Sequence, residues 1–555
     1  MIILLIILLF VPVSFAEEIP TISISIEKEM ISNNNVVIKP DKVSNSLNQS
    51  LLNNNIDIQR NTVHPNISLK GSTFQQSSIY IDGVKIDDPQ TAHHNMNIPV
   101  TINDIERIEI LNNKGLSGAL NIITKKPDDA IIAEISVGDY ANKNGKVTAS
   151  RKWKNIANRL SIEKNISEGY SFDTDFDITN IFNQFEWSLN NLATGLSFGY
   201  LKKDFGAKGF YANFPSYEWT ETYFSKVYLN YMYHSFNIKP EFQWRGNKDE
   251  FELDITKPGW SFNEHRTDVY TSQLEISKNN YTGGTSISKE KIDSSNLGNH
   301  SRDIYGLWSN YKHIFSGKIN TTAGLQLDKY SNYSVLSPSI YAEYYQLEKI
   351  KIHSIYRKSV RQPSFTELYY NDKANVGNPN LDFEKATLYE MGINYNYFIL
   401  NLFVRDEKDI IDWIKQNQAD AQWLATNIGK AKFYGYEIGS TKDFNKISIS
   451  LKYQFTNSSK DADFISKYAL RYANHILTSA VSYSLPLNIK HQVSGLYKKR
   501  ISGEEYFVLD TKFTKDFSIG EYFVKIDNIL NREYFEIPFV EMPPRIIYAG
   551  LNFHI

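Results

Sequence analysis

The sequence predicts an all-β transmembrane barrel of about 22 antiparallel strands, with an N-terminal mixed α/β plug domain in its lumen. Three observations predict it. From about residue 128 to Ile555, short runs alternate apolar and polar residues, separated by turns rich in Asn, Asp, Ser, Lys and Gly. After the first fifteen residues, no run is apolar over the ~20 positions that a helical span requires. Only helices and closed barrels satisfy their backbone groups in lipid, so a membrane form of this chain must be a barrel. The region before residue 128 is patterned differently and has the size of a plug.

The chain begins with MIILLIILLFVPVSF, and small residues Ser14 and Ala16 stand where a signal peptidase cuts. A secretory signal over 1–16 is expected, although no Lys or Arg precedes the apolar run. An anchor helix is the alternative, but the run is short for one. With 555 residues, two domains or one very large one are expected. The absence of Cys removes disulfide frameworks, Cys-based zinc sites and thiol nucleophiles. It also suits a bacterial envelope better than a large secreted eukaryotic protein. Sixty basic residues against 62 acidic ones argue against a nucleic-acid binder. Aromatics reach 14 %, with 36 Tyr and 32 Phe. That suits the aromatic girdles of a membrane barrel, and equally a Tyr-rich soluble β protein.

Within 17–127 an Asn-rich stretch comes first, then short apolar strands. Ile79-Tyr-Ile81 and Val84-Lys-Ile86 flank Asp82-Gly83, which favours a tight hairpin because Gly accepts positive φ. Ile105 to Leu111 and Ala119 to Thr124 read as further strands. In the barrel tract the clearest strand is Lys446 to Phe455. Ile447, Ile449, Leu451, Tyr453 and Phe455 take one face, and Ser448, Ser450, Lys452 and Gln454 the other. Val227 to His234, Leu196 to Tyr200 and Ile547 to Ile555 alternate likewise.

Four plug segments then carry a resemblance. Ile67-Ser-Leu-Lys-Gly71, Ser78-Ile-Tyr-Ile-Asp-Gly-Val-Lys85, Asp104-Ile-Glu-Arg-Ile-Glu-Ile-Leu111 and Gly118-Ala-Leu-Asn-Ile-Ile-Thr-Lys125 resemble, in order and spacing, plug segments of the TonB-dependent outer-membrane receptors. In the barrel, Arg361-Gln-Pro-Ser-Phe-Thr-Glu-Leu-Tyr369 with Gly377-Asn-Pro-Asn-Leu381 resembles the mid-barrel signature. Asp527-Asn-Ile-Leu-Asn-Arg-Glu-Tyr534 resembles the closing hairpin. Two departures stand out. Only Asn112 to Ser117 separate the third and fourth plug segments, so a plug loop is trimmed, and the chain ends in Ile555 rather than Phe.

The resemblance implies four parts: a signal over 1–16, a periplasmic coupling segment over 17–29, a plug over 30–127 and a barrel over 128–555. It implies a monomeric receptor of a Gram-negative outer membrane, in contact with lipid, that imports a scarce metal chelate with energy from a TonB-type partner. Energy must come from a partner because no GxxxxGK[ST] phosphate loop is present. The segment matching the coupling position is Thr21, Ile22, Ser23, Ile24, Ser25 and Ile26, whose alternation suits strand addition to a partner's sheet. It also reads as a first plug strand.

The chelate is expected where plug loops meet barrel wall and outer loops. Plug candidates are Ser72, Gln75, Gln76, His93, His94 and Asn95; barrel candidates are Phe210, Tyr211, Tyr217 and Trp219. The aromatics read equally well as an interface girdle. Imidazole is a common metal ligand, but adjacent His on a strand face opposite ways, so no protein metal site is expected. No resident cofactor is expected either, and nothing supports bound calcium. No catalytic constellation stands out, so an enzyme is not expected. A passive porin or surface barrel is the alternative, disfavoured by the plug segments. Haem is disfavoured because the interval Tyr370 to Val376 has no His to serve as axial ligand. Between cobalamin and a ferric siderophore, the compact plug and Asp409-Ile-Ile-Asp-Trp413 lean slightly to cobalamin.

Overall fold

The structure is a computed structural model and describes residues 36–38, 46–331, 333–346, 350–460 and 464–554. The expected signal and the coupling segment Thr21 to Ile26 lie outside the described residues, as does Ile555. Twenty-two antiparallel strands form a closed barrel, beginning with Ala130–Gly138 and ending with Ile546–His554. These two strands pair with each other, Leu551 opposite Ile135, so the sheet has no free edge.

The strand Phe236–Glu252 shows why the sequence alternates. Glu241, Gln243, Arg245, Asn247 and Asp249 point into the lumen and are buried, whereas Phe242 on the other face is exposed. Ile447, Ile449 and Leu451 are likewise exposed, as lipid-facing residues of a membrane barrel must be. One end of the barrel carries tight turns, several opened by Asn at positive φ (Asn190, Asn279, Asn396, Asn445). Asn tolerates that conformation better than most residues. The other end carries long connections, including 207–216, 253–261, 362–383, 409–429 and 528–545. Short turns face the periplasm and long loops the outside in such barrels, which sets the orientation.

The plug is a five-stranded sheet. Ile105–Leu111 pairs with Val36–Ile38 and Ala119–Thr124, which in turn pairs parallel with Ser78–Ile81. Ser78–Ile81 turns into Val84–Lys85 at Asp82-Gly83, both at positive φ, as the hairpin reading expected. Asp82 also accepts hydrogen bonds from the Thr124 amide and hydroxyl, tying the turn to the sheet. A separate hairpin, Asp57–Arg60 with Pro65–Ser68, follows the short helix Leu47–Leu52. The plug core is aliphatic, built on Leu51, Ile58, Ile79, Ile108 and Ile122, and Phe182 and Phe224 of the barrel join it.

Polar contacts fasten the plug inside the barrel. Arg159 donates to Asp104 at 2.7 Å, Arg245 to Asp88 at 2.6 Å and Arg500 to Asp57 at 2.8 Å. Lys70 pairs with Glu390, and Arg357 and Arg405 donate to plug carbonyls. Each of these charges is nearly inaccessible to water. At Gly199 the wall comes so close that a Cβ would stand 2.3 Å from the Pro99 carbonyl oxygen. The plug therefore meets the wall from the strand Asn142–Trp153 round to Ile489–Arg500.

Candidate functional site

Two plug loops reach the outer end of the lumen. Gln76 caps the turn Phe74–Gln76, its side-chain oxygen accepting from the Thr73 amide at 3.1 Å. Thr91 caps the turn Ala92–Met96, accepting from the His93 amide. Gln75 joins the two loops, donating to Thr91 and accepting from the Ala92 amide. Ser72 and Asn95 also act inside the plug: the Ser72 hydroxyl meets Ser77, and Asn95 accepts from the Asp88 amide. Gln76 instead reaches the wall and donates to Glu384 and Glu407.

His93 and His94 diverge, as adjacent residues should. His93 packs on Phe74 with ring centroids 4.2 Å apart and bonds to Asn66. Phe210, Tyr211 and Tyr468 surround it edge-on. His94 turns to the wall, its Nε2 3.3 Å from Asp249 and its Nδ1 3.8 Å from Glu218. His64, from the tip of the second plug hairpin, stands beside them, its Nδ1 3.9 Å from Glu218. Tyr211 donates to the other Glu218 oxygen at 2.6 Å, and Gln90 donates to Asp249. All five of His64, His94, Glu218, Asp249 and Gln90 are buried.

Burial splits the three imidazoles. It pushes His93 down to about 3, with the neighbouring His94 and Lys467 acting in the same direction. Burial, then Lys203 and the other two histidines, hold His64 well below the ordinary value. For His94 burial also acts downward, but Asp249, then Glu218 and Asp88, outweigh it and raise the value.

An outer lid covers this apex. Its sheet joins Asn375–Val376, Trp423–Asn427, Ile411–Lys415 and Ile465–Ser466, drawn from three loops. Buried Asp412 pins it, accepting from the Tyr468 and Ala469 amides and from the Ser466 hydroxyl. Lys415 and Lys467 lie over the Trp423 ring at 5.1 and 5.8 Å, and Lys467 also over Trp413 and Tyr468. The helix Phe365–Tyr369 is capped by Ser364 and Glu367, and Arg361 grips Glu367 through two 2.9 Å bonds. Its first amides donate to the Pro89 and Gln90 carbonyls, docking this loop on the plug.

The structure thus gathers His93, His94, Phe210 and Tyr211 at one place. It does not bring Tyr217 and Trp219 there. Strand alternation turns Glu218 inward, so its two neighbours face out and pack on each other at 4.6 Å. The girdle reading fits their position. His64, Phe74, Glu218, Asp249 and Tyr468 belong to the site and escaped the sequence reading. Glu218 and Asp249 carried one usable signal: each is an acid on the polar face of an alternating strand. Their adjacency depends on register, Thr220 opposite Asp249, which only the fold supplies.

Residues 126–525 match the family model described as TonB dependent receptor-like, beta-barrel. No curated protein matches the chain. Among solved structures, the siderophore receptor PirA from Pseudomonas aeruginosa is similar at 16 % identity, with 94 % of this chain and 99 % of that chain covered and a TM-score of 0.75. The FrpB iron transporter from Neisseria meningitidis (F5-1 variant) is similar at 14 % identity, covering 94 % and 100 %, with a TM-score of 0.78. The Serratia marcescens hemophore receptor HasR, solved with its hemophore HasA and heme, is similar at 13 % identity, covering 94 % and 98 %, with a TM-score of 0.77.

Proposed function

Because the chain belongs to the TonB dependent receptor-like β-barrel family, we propose that it binds a ferric chelate at the outer face of its plug and passes it into the periplasm with energy from a TonB-type partner. The family's barrels lie in the outer membrane of Gram-negative bacteria, and its members are receptors and transporters rather than enzymes. One observation carries the reading. The plug is seated by buried ion pairs on many barrel strands, among them Arg159–Asp104, Arg245–Asp88 and Arg500–Asp57. Passage requires these pairs to part together with the apolar seat of the plug on Phe182 and Phe224, so it requires work on the plug. A passive porin needs none, which is why it is the weaker reading. The segment Thr21 to Ile26 is the proposed handle for that work, joining the partner's sheet as an added strand.

For the ligand, we favour a ferric siderophore over cobalamin. The lid presents Lys415 and Lys467 against Trp413, Trp423 and Tyr468, which suits an anionic, aromatic chelate. The proteins of similar fold include siderophore receptors and an iron transporter. Phe74, Phe210, Tyr211 and Gln76 form the floor that the chelate meets once the lid lifts. Titrating the purified protein with a ferric catecholate, a ferric hydroxamate and cyanocobalamin by calorimetry tests this. The expectation is tight binding of one ferric chelate and no heat from cyanocobalamin; the reverse pattern overturns the choice.

A further inference from the structure

Beneath the aromatic floor lies a cluster that the chelate reading does not use. One ligand atom each from His94, Glu218 and Asp249 lies within 4.8 Å of the others. The His94 Nε2 to Asp249 separation is already 3.3 Å. Bonds of about 2.1 Å in a tetrahedral shell put ligand atoms about 3.4 Å apart, so that edge is close to preformed. Glu218 Oε1 and Asp249 Oδ1 are buried and have no hydrogen-bond partner. Neither nitrogen of His64 reaches hydrogen-bond geometry, although the His93 backbone lies close enough to favour its charged form. Native proteins rarely bury such groups unpaired. The other oxygen of each carboxylate is engaged: Tyr211 donates to Glu218 Oε2, and Gln90 donates to Asp249 Oδ2, the oxygen nearest His94 Nε2. Orienting bonds of this kind are what metal-binding carboxylates receive.

We propose that His94, Glu218 and Asp249, with His64 as a fourth ligand, bind one divalent first-row transition-metal ion of the zinc class. The ligands come from four separate pieces of chain: the loop of the plug hairpin, the turn Ala92–Met96, the strand Tyr217–Tyr233 and the strand Phe236–Glu252. A bound ion therefore clamps the plug to the wall in the closed state. Imidazole together with carboxylate selects borderline ions over Mg2+ and Ca2+, which prefer oxygen ligands throughout. Two carboxylates supply the charge that a dication needs. The site goes beyond the chelate reading, since it takes the ion without a chelator.

The test uses the full-length protein in detergent, stripped with a chelator and titrated with ZnCl2 or MgCl2 alone. One Zn2+ per chain is expected, with no Mg2+ binding, and Glu218→Gln and Asp249→Asn each weaken Zn2+ binding at least tenfold. Zinc X-ray absorption on the unaltered protein keeps the test open should either variant misfold. It should report imidazole scattering and N/O ligands at about 2.0–2.1 Å. Absence of stoichiometric binding, binding unchanged in both folded variants, or a spectrum without imidazole overturns the proposal. Because no chelate enters the experiment, its failure leaves the chelate reading standing, and failure of the chelate titration leaves this site standing.

Discussion

Asp57→Asn tests how firmly the plug is held. Asp57 sits on the first strand of the second plug hairpin and is 2 % exposed. It accepts from both Arg500 terminal nitrogens, at 2.8 and 3.1 Å, and from the Ala473 amide at 2.8 Å. Lys498 stands 3.5 Å away, and Glu536 bonds both cations from an outer connection. Two acids thus balance two bases in a space closed to water. The substitution leaves Glu536 alone against Lys498 and Arg500. Removing one partner of a buried pair costs about 3–5 kcal/mol, and Glu536 keeps this case near the lower figure. About 3 kcal/mol is roughly a 150-fold rise in the open population. Hydrogen exchange of the amides in Asp57–Arg60 and Pro65–Ser68 reads that population directly. Exchange there should rise about 100-fold while barrel strands hold. Adding Lys498→Met restores charge balance and should recover at least half the effect. A rise below threefold, or equal acceleration in the barrel, would refute the reasoning. Acid supplies a second reading. Burial acts to raise the Asp57 value, but Arg500 and Lys498 outweigh it and hold it below the ordinary 3.8. A depressed carboxylate contributes stability that is complete above the unfolded value and is lost as pH falls through the folded one. The difference between wild type and Asp57→Asn should therefore shrink below about pH 4.

Two further substitutions probe the seat and the lid. Gly199→Val drives a side chain into Pro99, where even a Cβ would stand 2.3 Å from the carbonyl oxygen. An overpacked contact costs about 1–3 kcal/mol, so conductance across planar bilayers should show openings that the unaltered protein lacks, and silent bilayers would contradict the close seat. Asp412→Ala removes the acceptor shared by Ser466, Tyr468 and Ala469. Exchange in residues 464–470 should rise at least tenfold with plug amides unchanged, whereas a rise confined to the plug would show that the lid is held elsewhere.

Much of this fold could be read from the chain because a membrane barrel writes its two solvents into alternate residues. Ile447, Ile449 and Leu451 face lipid while their neighbours face the lumen, and that needs no tertiary knowledge. Asp82-Gly83 announced its hairpin through backbone conformation alone. The site was legible only where it is local. His93 and His94 stood in a loop, and Phe210 and Tyr211 in a connection, so each could be picked out singly. His64, Glu218 and Asp249 meet through register and plug placement, both non-local. Tyr217 and Trp219 stand apart from Phe210 for a simpler reason: they lie on a strand, and strand parity turns them away from Glu218. Phe74 and Tyr468 come from opposite ends of the chain and meet at 5.2 Å, which no local pattern encodes.

The central claim is that movement of ligand past this plug requires energy delivered through the N-terminal segment. Cells displaying the unaltered protein or Ile24→Pro would be given a labelled ferric chelate, and surface binding and accumulation measured separately, with and without an uncoupler of the inner-membrane proton gradient. Proline removes a backbone donor and blocks strand addition. The account predicts equal surface binding in every case, with accumulation only for the unaltered protein in energised cells. Accumulation that survives both the uncoupler and Ile24→Pro would contradict it.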